Sequence, residues 1–249
     1  MSRFLAPALL LLLAACQSVP AGPGAAPEGE RAIFEYEDIE RRDVLYTIDV
    51  DDPLEPLNRG IYKFNAMFDR AIFLPVTELY EFVTPTFVQD RVTNVFSNLT
   101  EITTFANSIL QGKIERASRA LVRFLVNSTI GLAGLFDPMT SLGTRQQSED
   151  LGQTLGTWGF PAGPYLVLPI LGPSNLRDTL GLAGEMAAYR AADPFGAASF
   201  EGDHPEILAL RAIDQRSQVG LRYYQTGSPF EYDLVRLLYT RKRQLDVEN

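Results

Sequence analysis

The chain has 249 residues, a formal net charge of −9, one cysteine and one histidine. A single cysteine closes no intramolecular disulfide, and with one histidine it builds no zinc site of the usual Cys and His kind. The acidic balance, with no basic face, argues against nucleic-acid binding.

Met1 to Cys16 has the anatomy of a secretory signal, with Arg3 as the positive start, an apolar core from Phe4 to Leu13 and small residues before the cut. That core is too short to span a bilayer. Leu13-Ala14-Ala15-Cys16 resembles a bacterial lipobox, so residues 1–15 are expected to be removed and Cys16 acylated. An ordinary signal with an incidental cysteine is the alternative. In the lipoprotein sorting that this resemblance implies, an Asp after the cysteine retains a protein at the inner membrane; Gln17 stands there, which favours the outer membrane. Residues 16–51 read as a tether. SVPAGPGAAPEGE is poor in bulky apolar side chains, and Glu28 to Asp52 holds ten acidic residues against three basic ones. Most of the negative charge therefore lies ahead of the folded part, for which residues 52–243 are expected, with 244–249 as a short tail.

Leu57, Ile61, Phe64, Phe68 and Ile72 form a helical stripe, with Asn58, Lys63, Asn65 and Asp69 elsewhere on the helix. Pro75 is expected to end it. Val76 to Val83 predicts a short second helix, Val88 to Leu99 a third, Ile102 to Leu110 a fourth that stops at Gly112, and Ile114 to Leu125 a fifth whose other face bears Arg116, Arg119 and Arg123.

Gly131 to Gly172 then holds eight of the 19 glycines and four of the 16 prolines. Tyr165 to Leu171 is the longest apolar run outside the N-terminus, yet Pro164 and Pro169 deny it an uninterrupted helix or a central strand. It is expected to be extended, buried and bent. Glu149 to Asp178, with the only tryptophan, Trp158, reads as an ordered, non-helical segment that wraps or lines something. A buried loop bracing a helical bundle is the plainer reading.

Pro173-Ser174 is expected to start a helix rich in small residues, and Leu210, Ile213, Leu221 and Tyr224 mark another. Ser228, Pro229 and Glu231 predict a capped start for the last helix, which Arg241, Lys242 and Arg243 close favourably against its dipole. The fold class is mainly α: a single ring-like bundle of amphipathic helices with a Gly/Pro-rich non-helical central segment.

Catalytic chemistry finds little to use, and no catalytic or metal-binding residue is assigned. His204 lies in a polar loop before Pro205 and reads as solvated. Neither a nucleophile elbow nor a P-loop occurs. Glu149, Asp150 and Asp178 flank the central stretch, where such carboxylates more often cap helices than catalyse, and Arg177-Asp178 reads as a structural ion pair. No cofactor is expected.

Phe124–Gly134 (FLVNSTIGLAG), Gly152–Gly156 (GQTLG), Gly163–Pro169 (GPYLVLP) and Gly172–Asp178 (GPSNLRD) resemble the VacJ/MlaA family of outer-membrane lipoproteins, and the resemblance runs from about Asp52 to about Arg243. It implies a helical ring within the outer membrane, lipid-anchored on the periplasmic side. It also implies removal of phospholipids that have strayed into the outer leaflet, through an amphipathic channel to a soluble periplasmic carrier, in association with a trimeric porin. A hairpin beside the channel is implied at roughly Gly134 to Gly156, with Phe136, Leu142 and Leu155 as its apolar residues. Gly134 and Gly143 are its hinge candidates. Two other readings stay open: a periplasm-facing scaffold lipoprotein with a polar exterior, and a carboxylate-based lipid hydrolase.

Overall fold

Amphipathic spacing, with proline admitted only in first turns, decides where most of this chain is helical. The computed structural model describes residues 50, 52–220, 222–225 and 228–248, so the expectations for Cys16, the signal and nearly all of the tether lie outside the described residues. Helix α1 (Glu55–Phe68) opens with Pro56 in its first turn, where a missing N–H costs nothing. Pro75 does not end the helical run. A π turn, Asp69–Phe73, carries it into α2 (Leu74–Val83), and the Leu74 N–H bonds the Asp69 carbonyl five residues back. That wide turn relieves the clash a proline makes with the carbonyl four residues before it. Thr84, held extended by Pro85, ends α2.

The third and fourth expected helices are one, α3 (Thr86–Leu110), because nothing between Leu99 and Ile102 breaks it. Gly112, at φ +73°, turns the chain into α4 (Ile114–Thr129), which packs along α3. The central segment is less uniformly non-helical than its composition suggests. It contains a one-turn helix, α5 (Pro138–Ser141), and a two-turn helix, α6 (Leu151–Thr157). Each has a capping aspartate: Asp137 accepts from the Thr140 N–H, and Asp150 accepts from the Gln153 N–H. Strands β1 (Tyr165–Leu168) and β2 (Gly172–Asn175) then form an antiparallel pair in which Tyr165 faces Asn175 and Leu168 faces Gly172. Pro173-Ser174 thus lies in β2. The following helix, α7 (Leu176–Ala192), starts after Asn175, whose side chain accepts from the Asp178 N–H.

A 3-10 turn (Pro194–Gly196), α8 (Ala197–Asp203), α9 (Pro205–Ser217) and α10 (Glu231–Glu248) complete the described chain. Helix α9 ends before Tyr224, which sits left-handed at φ +58°, and Leu221 lies outside the described residues. The last helix begins at Glu231. The Ser228 hydroxyl accepts from the Phe230 N–H, while the Glu231 carboxylate accepts from the Tyr62 hydroxyl at 2.8 Å, across the fold. Helix α10 runs on past Arg243, so residues 244–248 are helical. Arg243 turns inward to Asp150 and Asp178, a stronger attraction than the helix dipole offers. The described residues are mainly α, as expected.

The fold is organised around a polar interior. On α1 the buried side chains are Asn58, Tyr62, Asn65 and Ala66, while Leu57, Phe64 and Met67 are exposed. On α4 they are Ala117, Ala120, Arg123 and Asn127, while Ile114, Leu121, Val122 and Leu125 face outward. Helix α3 buries Phe96 with Asn98, Glu101, Thr104, Asn107 and Ser108. The periodicity found these amphipathic helices, but the apolar stripes face away from the core.

Asn58 and Asn65, seven residues apart on one face of α1, do the work of a third strand. Asn58 donates to the Tyr165 carbonyl at 3.0 Å and accepts from the Val167 N–H at 2.9 Å. Asn65 donates to the Leu168 carbonyl at 2.9 Å and accepts from the Ile170 N–H at 2.7 Å. A two-stranded ribbon alone is marginal, and these bonds satisfy the open edge of β1. Tyr165 and Val167 point into a small core with Tyr62 and Tyr232, with rings packed edge to face. The expectation that Tyr165 to Leu171 is extended, buried and bent holds for the strand and its turn, although Ile170 and Leu171 at the tip are exposed.

Candidate functional site

The segment after α4 is built as a clamped loop. Leu132, Ala133 and Gly134 are left-handed in succession, at φ +54°, +59° and +87°. Gly131 is required outright, since a Cβ there would stand 2.3 Å from the carbonyl oxygens of Asn127 and Phe136. Arg123 clamps the loop from below. It is 2% exposed and pairs with Glu101, 1% exposed, at 2.5 Å, and it also reaches Asp137 at 2.9 Å, the Thr140 hydroxyl at 3.2 Å and the Thr144 carbonyl. Burial pushes the Glu101 carboxyl above its ordinary range, while the adjacent guanidinium pulls against that rise. Asp137 also accepts from Asn127 at 3.1 Å, and Asn94 donates to the Leu135 carbonyl at 3.1 Å.

Between this loop and the first turns of α3 lies a cleft of about 520 Å³, whose walls mix Ile130, Phe136 and Pro138 with Asp90, Arg91, Asn94 and Thr140, with Gln218 at its edge. The Arg91 guanidinium stacks over the rings of Phe87 and Phe136, at 4.6 and 4.5 Å from their centroids. Asp214 accepts from Thr93, and Gln218 donates to the same hydroxyl, which joins α9 to the cleft's floor. A surface of this kind can hold an amphiphile, with a polar group beside Arg91 and Asn94 and an apolar part along Ile130 and Phe136.

The expected apolar residues fare differently. Phe136 stands at the cleft. Leu142 caps α5 and is 76% exposed beside Gly143, at φ +87°. Leu155 lies in α6, half-buried and outside the cleft. The stretch from Gly134 to Gly156 is therefore a clamped loop, a helical turn, a run without regular secondary structure and a second helix, rather than one hairpin. Gly134 and Gly143 do occupy positions that favour glycine.

The flanking carboxylates are structural hubs. Glu149, buried, accepts from Gln111 at 3.0 Å, pairs with Arg116 and lies 3.6 Å from the Lys113 ammonium. Asp178 accepts from Arg243 and Tyr239, each at 2.8 Å, and from Arg177 at 3.0 Å. Burial alone would raise Asp178, but the Arg243 bond holds its carboxyl below the usual range, and the same opposition lowers Asp150. Around them α6 and α7 touch backbone to backbone: a Cβ on Gly181 would stand 2.5 Å from the Gly152 nitrogen. Trp158 is half-exposed and donates to the Leu110 carbonyl at 3.0 Å. His204 is exposed in its loop, 2.8 Å from Glu206. Among the described residues, no group of three or more His, Cys, Asp or Glu is placed to hold a metal ion.

Sequence reasoning missed Arg91 and Asn94, neighbours on one face of α3, and Gln218, which only the tertiary fold brings to them, and misplaced Arg123. Its signal was present: Arg116 and Arg123, seven apart on one face of an amphipathic helix, both turn inward to a buried glutamate.

The exterior is as distinctive. Among the described residues, Leu79, Phe82, Val83, Phe87 and Val88 form an apolar corner between α2 and α3, and Phe82 is 88% exposed. Further exposed leucines, valines and isoleucines line α4, α7 and α10. No helix among the described residues is long and apolar enough to cross a membrane.

Comparison with known proteins places this architecture. Residues 50–246 match the family described as MlaA lipoprotein. A Rickettsia prowazekii protein of unassigned function is 37% identical over 203 residues, 81% of this chain and 80% of that protein. The intermembrane phospholipid transport system lipoprotein MlaA of Escherichia coli is 33% identical over 140 residues, 55% of each chain, and its Haemophilus influenzae counterpart is 32% identical over 142 residues, 56% of each. A solved structure described as the structural basis for maintenance of bacterial outer membrane lipid asymmetry superimposes with a TM-score of 0.66 at 26% identity, covering 79% of this chain and 99% of that one.

Proposed function

The chain belongs to the MlaA lipoprotein family, and from that premise we propose that it is an outer-membrane lipoprotein that takes misplaced phospholipids from the outer leaflet and passes them through the cleft beside Phe136 toward the periplasm. The observation that carries this reading is the distribution of side chains. Apolar faces point outward on α1 and α4 while Asn, Thr, Glu and Arg of α1, α3 and α4 point inward, which suits a body surrounded by lipid that shields a polar path. A periplasm-facing scaffold would present a polar exterior instead.

Such a path has a large barrier to lower. Two acyl chains hold roughly 30 methylenes, and at about 0.8 kcal/mol each their transfer to water costs on the order of 25 kcal/mol. Unassisted desorption over such a barrier takes on the order of days. No side chain need react: Arg91 and Asn94 offer a cation and an amide to a headgroup, and Ile130 and Phe136 offer apolar contact to a chain. The loop's tip at Leu142 and Gly143 serves as the gate over a base fixed by Arg123. Family resemblance supports two partners, a trimeric porin in the membrane and a soluble periplasmic lipid carrier. It also supports acylation at Cys16.

Deletion of the chain tests the reading. Outer-leaflet phospholipid should rise, fall again on complementation with the wild-type chain, and stay high with Cys16→Ala. Unchanged outer-leaflet phospholipid after deletion refutes transport. Lysophospholipid released from vesicles by the purified protein would favour the hydrolase reading.

A further inference from the structure

A second hollow, separate from the cleft, has the chemistry of a phosphate clamp at a lipid boundary. Its volume is about 520 Å³, and Lys63, Arg70 and Arg222 stand around a floor that includes Met67 and Leu74. Among its described lining residues the one acidic side chain, Asp69, is already engaged: Arg216 grips both carboxylate oxygens, at 2.6 and 2.9 Å. None of the ion pairs between described residues within 4.0 Å involves Lys63 or Arg70, and Arg222 has only an exposed contact with Glu78 at 3.6 Å. Three cations thus face a hollow whose own negative charge is neutralised by a fourth. The π turn Asp69–Phe73 contributes to this geometry by widening the helix where Asp69 turns inward while Arg70 stays exposed. Met67, on the same wall, is 63% exposed.

We propose that this hollow binds the phosphodiester of a phospholipid through Lys63, Arg70 and Arg222, with the acyl chains leaving over Met67 and Leu74. Charge complementarity selects the ligand. A phosphate accepts charge-assisted bonds from all three side chains, and guanidinium groups at two of the three positions suit its oxygens. The apolar floor distinguishes a lipid from a free anion, because inorganic phosphate gains nothing from Met67 or Leu74. The proposal rests on the lipid-facing orientation argued above, but not on the cleft as the route.

The test is a titration of the detergent-solubilised mature protein with dihexanoylphosphatidylglycerol. The exposed positions allow Lys63→Gln, Arg70→Gln and Arg222→Gln to be combined without disturbing the core, and the triple variant should bind at least about tenfold more weakly. Raising the salt to about 0.5 M should weaken wild-type binding in the same direction. Equal affinity in the triple variant, or equal binding of phosphate-free dihexanoylglycerol, overturns the clamp. Inorganic phosphate binding as tightly as the lipid overturns the lipid assignment. Leu142→Asp, titrated in parallel, should lose whatever binding the cleft holds and keep the salt-sensitive component that the triple variant loses; disappearance of that component in Leu142→Asp returns it to the cleft. If deletion of the chain leaves outer-leaflet phospholipid unchanged while this binding persists, the transport reading fails and the clamp stands.

Discussion

Arg123→Met should be the most damaging single substitution at the base of the loop. The side chain is 2% exposed and its partner Glu101 is 1% exposed, so removing the guanidinium strands a carboxylate in the interior. Breaking one side of a buried pair costs roughly 3–5 kcal/mol, against total stabilities of about 5–15 kcal/mol. For a domain of this size that is a fall in Tm of about 6–20 °C. The loss should ease in acid. Burial already raises Glu101, and without Arg123 its folded value rises further above the unfolded one. A raised carboxyl costs stability above its unfolded value, and the cost disappears as pH falls below it. Arg123→Met with Glu101→Leu removes both charges and should recover most of the deficit, because an apolar pair of similar volume replaces the ions. Asp137 keeps its bonds from Thr140 and Asn127 in that variant. Thermal unfolding in detergent at pH 7 and pH 5, with limited proteolysis near Thr144, reads all of this. A single variant that loses less than about 1 kcal/mol, or a double variant as unstable as the single, refutes the clamp.

Leu142→Asp should change stability by no more than about 0.5 kcal/mol, because Leu142 is exposed, yet it should abolish lipid clearance at normal protein abundance. Loss of the protein itself would show the residue to be core. Gly131→Ala must displace two carbonyls and should lower abundance strongly, as immunoblotting would show. Asn65→Ala removes the bonds to the Ile170 N–H and the Leu168 carbonyl and should cost about 1–3 kcal/mol in thermal unfolding. Asp150 and Asp178 sit below their ordinary range, so their contribution is present above about pH 4 and is lost as pH falls through the folded values. Arg243→Gln should therefore lower Tm at pH 7 and flatten its decline in acid, and an unchanged acid limb would contradict that linkage.

Periodicity made most of the helices legible but not their orientation. Leu57, Phe64, Leu121 and Leu125 repeat as a core stripe would, and a repeat says only that a helix has two unlike faces. Which face meets water depends on what surrounds the protein. The signal for inversion was in the polar set: Asn58 with Asn65, and Arg116 with Arg123, keep helical spacing as strictly as the apolar residues do. Boundaries failed where local rules met tertiary ones. Pro75 survives inside a helical run because the π turn moves a carbonyl away, and Arg243 faces Asp150 and Asp178 because two carboxylates outweigh a helix end. The GQTLG stretch became a helix because Asp150 caps it, a role glycine content conceals. The cleft was illegible for a different reason. Asn94, Phe136 and Gln218 lie far apart in sequence, and only Phe136 belongs to a recognisable segment.

Phospholipid in transit should lie within the cleft. A photoreactive residue placed at Thr140 or Ser141, both on the cleft wall, should cross-link headgroup-labelled phospholipid in intact outer membranes, and Leu142→Asp should remove the adduct without lowering protein abundance. Absence of a phospholipid adduct at both positions in the wild-type chain, while the same membranes still clear outer-leaflet phospholipid, would contradict it.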